Sequence, residues 1–140
     1  MNNTPIGRVA EDLGKFLLRA ALAILILFHG IAKIKTGISP ILGMIANVGL
    51  PPPLGYLVYI GEVLAPALVL VGVWTRPAAL VIAINMTIAV LLVHTSQFFT
   101  LAKSGGWALE LQGMYFFAAL TIALLGAGRF SIGGAGGKWN

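Results

Sequence analysis

The chain has 140 residues, of which 59% are hydrophobic and 9% charged, with a formal net charge of +5 and no cysteine. A mean hydropathy of +0.96 excludes a water-soluble domain and describes an integral membrane protein. The missing cysteines exclude thiol–disulfide chemistry, cysteine-ligated iron–sulfur clusters and cysteine-bound zinc, and the basic residues are scattered singly, so nucleic acid is not an expected partner.

The first predicted element is charged. Arg8, Glu11, Asp12, Lys15 and Arg19 recur at helical spacing opposite Leu13, Phe16 and Leu17, which predicts an amphipathic lead lying in the membrane interface before the chain turns inward. About 20 apolar residues cross a bilayer as a helix. Four such stretches follow, near residues 14–33, 54–73, 77–95 and 107–126. Gly30-Ile31-Ala32 loosely matches a signal-cleavage pattern, but the charged lead is long for a signal peptide, and the first stretch is read as a retained span.

In the loop of residues 34–53, Ser39 is positioned to cap a helix with Pro40 at its first position, and Gly49-Leu50-Pro51-Pro52-Pro53 ends it, predicting a short surface helix near 40–48. Trp74-Thr75-Arg76-Pro77 is a tight turn between the second and third spans. Residues 77–93 have no polar face, as expected where lipid surrounds a helix. Residues 1–131 are read as one four-span domain, and 132–140 as a Gly-rich, loosely ordered tail. The run Gly126-Ala127-Gly128-Arg129-Phe130-Ser131 lacks the last glycine of a dinucleotide fingerprint, and Gly137-Lys138 lacks the remainder of a P-loop.

The expected fold is therefore all-α: an integral membrane antiparallel four-helix bundle with a short surface helix in its first outer loop. Arg8, Lys15, Arg19, Arg76, Arg129 and Lys138 fall on one side, and Lys33, Lys35 and Lys103 on the other, which places both termini in the cytoplasm. Arg19 is close enough to the boundary to snorkel.

The informative residues are ionisable groups within apolar stretches, where each charge costs roughly 2.5–3.5 kcal/mol on insertion scales. His29 and Lys33 close the first span, Glu62 sits inside the second, His94 ends the third and Glu110 opens the fourth, so this topology gathers them in one outer layer. His29 and Lys33, four apart, share a helix face, as do Tyr59 and Glu62, three apart. Glu62 and His94 are assigned catalytic proton chemistry, and His29, Lys33, Tyr59 and Glu110 ligand binding. The plainer alternatives are headgroup-level histidines, a solvated Glu110 beside the interfacial Trp107, and Asn85 as interhelical glue. No motif such as HExxH supports a metal or haem site, and none is assigned. A quinone asks for less: a His, Lys or Tyr donor beside an apolar cleft, and a carboxylate able to pass protons.

Phe28-His29-Gly30 with Lys33, Gly49-Leu50-Pro51, Gly61-Glu62, Gly72-Val73-Trp74-Thr75-Arg76-Pro77-Ala78-Ala79, His94 and Gly126-Ala127-Gly128-Arg129-Phe130-Ser131 together resemble the DoxX family of small bacterial four-helix membrane proteins. The pattern covers residues 13–131; it departs at Ile132-Gly133, where an acidic residue often follows the serine. The resemblance implies a bacterial inner-membrane bundle associated with membrane redox chemistry, as an accessory or quinone-interacting subunit with a redox partner. The alternative is a non-enzymatic binding or transport protein for a small solute or metal ion. Four short spans leave little room for a cofactor, so a homo-oligomer through small-residue faces is compatible with either.

Overall fold

The computed structural model describes residues 5–140. Among them the chain is helical apart from loops and one isolated bridge between Leu101 and Trp107. Helix α1 runs unbroken from Pro5 to Thr36, 32 residues, or about 48 Å at ~1.5 Å per residue. The bend expected between lead and span does not occur. No proline interrupts the helix after its first residue, and an isolated Gly14 does not by itself break a hydrogen-bond ladder. Lys15 Nζ meets Glu11 Oε1 at 2.7 Å on its charged face.

Helix α2 (Ser39–Asn47) forms, but Ser39 is its first helical residue and caps nothing, because the cap position falls to Ile38. Its end follows the sequence signal closely. Gly49, at φ 78°, donates to Ala46 O at 2.9 Å while Leu50 donates to Ile45 O at 3.1 Å, the paired bonds of a Schellman turn.

Helix α3 (Pro52–Val71) is composite. A 3₁₀ turn over Pro52–Leu57 gives way to a π turn over Ile60–Leu64 and an α-helical end over Ala65–Val71. Pro66 explains the switch. It has no N–H for the carbonyl of Glu62 four residues earlier, and the ladder slips by one residue so that Ala65 N–H bonds Ile60 O.

Helix α4 (Thr75–Val93) follows a turn in which Trp74 takes a left-handed conformation, and α5 (Glu110–Leu125) completes the set. Helix α5 begins later than the hydropathy suggested, because Trp107 belongs to the preceding loop, where its Nε1 donates to Phe98 O at 2.8 Å. Helices α1, α3 and α4 are long and apolar enough to cross a bilayer, and α5 is a shorter apolar helix. α4 packs on α3 and α5, and α1 on α3 and α5. The shared core mixes Ile26, Val69, Ile82 and Ile122 with Ala23, Ala79, Ala83 and Ala119, whose small side chains bring the backbones close.

One end of the assembly is tied by arginine. Arg19, 1% exposed, does not snorkel. Its Nη1 donates to Val69 O at 2.7 Å and Leu70 O at 3.3 Å, and its Nη2 to Phe130 O at 2.6 Å. The last carbonyls of α3 have no intrahelical donors, which is why a guanidinium is drawn inward to them. Arg76 does the same for α5, through Ala123 O and Leu124 O at 2.9 and 2.8 Å. The tail expected to be loose is docked on this layer. Ile132 and Gly133 N–H groups bond Val71 O and Gly72 O at 3.0 Å each, and Asn140, buried, accepts from the Thr75 hydroxyl at 3.0 Å. Its glycines permit this approach: a Cβ at Gly133 would stand 2.8 Å from Gly72 O.

Candidate functional site

At the opposite end from Arg19, a cavity of about 240 Å³ opens between α1, α3, α4 and α5. Its polar lining is His29, Lys33, Glu62, His94, Gln112 and Tyr115, and its apolar floor includes Ile26, Met86 and Ala89.

Glu62 reaches this cavity through the π turn, which brings Gly61 and Glu62 to the buried side of α3. Glycine on either side makes the approach possible. A Cβ at Gly30 would collide with the Glu62 carbonyl and lie 2.7 Å from Val63 Cγ2, and one at Gly61 would lie 2.6 Å from Asn85 Oδ1. Thus Phe28-His29-Gly30 and Gly61-Glu62 act together: the glycines close the helix contact and the adjacent polar residues face the cavity.

Lys33 Nζ and Glu62 Oε2 are 2.5 Å apart, with side chains 27% and 9% exposed. The carboxylate is the more deeply set partner. The pair leaves the cavity nearly neutral, which suits a neutral, hydrogen-bonding head group better than an ion. His94 Nδ1 lies 3.2 Å from Gln97 Oε1, and its Nε2 lies 3.4 Å from Gln112 Nε2. A proton on Nδ1 satisfies both, because Nδ1–H then donates to the Gln97 oxygen while Nε2 accepts from the Gln112 amide. The His29 ring stands on the rim and meets Tyr115 edge-on at 6.2 Å between centroids.

The structure therefore brings together His29, Lys33, Glu62 and His94, and sets Tyr59 and Glu110 apart. The Tyr59 hydroxyl donates to Lys33 O at 3.4 Å and supports the end of α1 from behind. The Glu110 carboxylate folds over Gly106 in the first turn of α5, where an anion complements the helix dipole. Asn85 packs on Gly61 with its Nδ2 buried and without a partner. Sequence reasoning assigned no role to Tyr115 or Gln112. Their spacing of three was the available signal, since it puts both on one face of α5. Among the described residues no group of three His, Asp or Glu side chains is arranged to hold a metal ion.

These features define a multi-pass helical membrane protein with a polar pocket between its helices. The DoxX family model matches residues 14–95, more than half of the chain, and the protein belongs to the DoxX family. No curated protein and no solved structure matches it.

Proposed function

We propose that this protein is a quinone-interacting accessory subunit of a membrane oxidoreductase system in the bacterial inner membrane. It forms an antiparallel four-helix bundle with both termini cytoplasmic, α2 on the outer surface and the polar pocket in the outer leaflet. The observation that carries the reading is the cavity itself: His29, Lys33, Glu62, His94 and Tyr115, drawn from four helices, surround one space of head-group size over an apolar floor.

The residues fit a quinone head. His29 and Tyr115 are placed as donors to a carbonyl oxygen, and the Gln112 amide can exchange its bond to His94 for another acceptor. A bound quinone supplies a two-electron, two-proton couple. Glu62 and His94 are the titratable groups on the cavity wall that hold and pass protons. The chain has no cysteine to relay electrons, so in this reading they reach the quinone from another bound cofactor or from a redox partner subunit.

Two measurements test this reading. Protein purified in mild detergent is expected to carry near-stoichiometric quinone by mass spectrometry of its extract; a bound metal or polar solute with no quinone would favour the transport alternative. Single cysteines at Ser39 and Ser104 should react with an impermeant maleimide in intact cells, and one at Ala135 only after lysis. Labelling of Ala135 from outside would overturn the topology.

A further inference from the structure

A second cavity, about 280 Å³ and almost wholly apolar, runs along the outside of the α4–α5 pair. Thr87, Val90 and Leu91 of α4 form one wall, and Gly113, Phe116 and Phe117 of α5 the other. Met86 and Gln112 line this groove and the polar pocket alike, so the two spaces meet at those side chains. The groove is a built feature. Gly113 lets the Trp107 ring lie against α5, where a Cβ would stand 2.8 Å from Trp107 Cζ3, and the Trp107 indole is held by its bond to Phe98 O.

We propose that the groove is the tail slot of the ligand whose head occupies the polar pocket, and that this ligand slides in sideways from the hydrocarbon between α4 and α5. This rests on the quinone reading and deepens it. The occupant is an amphiphile with a neutral ring head and an unbranched or prenyl-like chain. The lining shared with the polar pocket points to this amphiphile over a bulk lipid, because the Lys33–Glu62 pair is already neutralised and leaves no free cation to receive a phosphate. The partition is suited to opening. Met86 is a flexible thioether, and the Gln112–His94 bond is long, at 3.4 Å.

The test uses the full chain in lipid nanodiscs with Trp74→Phe and Trp139→Phe, leaving Trp107 as a single fluorophore within the groove. The probes are a tailless benzoquinone and the same head carrying a decyl chain, read by quenching of Trp107. With partition into lipid corrected for, the decyl compound is expected to bind about tenfold tighter, a gain from chain packing and not from leaving water. Val90→Phe, which fills the groove, should erase that advantage while leaving tailless affinity unchanged, and Leu91→Phe serves as an independent filler. Equal affinity of the two probes for the unfilled groove, an advantage that survives both fillers, or loss of both probes together in both fillers would overturn the tail slot. If neither quinone binds the unfilled protein, the quinone reading itself fails and the slot falls with it.

Discussion

Glu62→Gln is expected to abolish quinone binding and to cost about 1–2 kcal/mol of stability, and adding Lys33→Met should return most of the stability and none of the binding. The change is isosteric, yet it is not neutral for folding, since the glutamine leaves Lys33 without its counter-charge. Breaking a fully buried pair costs roughly 3–5 kcal/mol, but the partly exposed Lys33 can extend its ammonium toward the interface, which lowers the figure. Methionine then fills the lysine's volume with no charge to satisfy. Unfolding in mixed micelles and quinone titration read the two effects separately. Recovery of binding along with stability in the double variant would mean that the pair only holds α1 to α3.

Arg19→Leu should be the more damaging change to folding. It removes three hydrogen bonds from a buried guanidinium to Val69, Leu70 and Phe130 carbonyls and reopens the layer on which residues 131–140 dock. Charge-assisted bonds contribute about 1.5–3 kcal/mol each, and the Arg19 Nε has no partner to lose, so a net loss of roughly 3–5 kcal/mol is expected. Limited proteolysis is then expected to cut the glycine-rich tail in Arg19→Leu and to spare it in the parent protein, where Val71 O and Gly72 O hold it. A tail that stays protected in Arg19→Leu would show that Arg76 and Asn140 hold it alone.

The apolar helices and the layer of ionisable residues were legible because hydropathy and charge placement follow from one-dimensional spacing. His29, Lys33, Glu62 and His94 could be grouped by topology alone. The π turn could not, since its cause at Pro66 depends on which way the ladder relaxes, and that depends on Gly30 and Gly61 admitting neighbours. Arg19 and Arg76 read as orientation charges, yet each closes the open carbonyls of another helix, a long-range pairing that no local pattern encodes. The tail misled for a related reason. Glycine signals a flexible chain by composition, and here the absence of side chains is what lets backbone meet backbone at Val71 and Gly72. Glu110 folds back over Gly106 and does not line the cavity, a local choice that spacing does not reveal.

The most direct measurement of the central claim is the quinone content of purified wild-type protein beside the Lys33→Met/Glu62→Gln double variant, prepared identically and matched for stability. A quinone-loaded wild type and a quinone-free double variant are the predicted result. Equal quinone in both would contradict a functional role for the Lys33–Glu62 pocket.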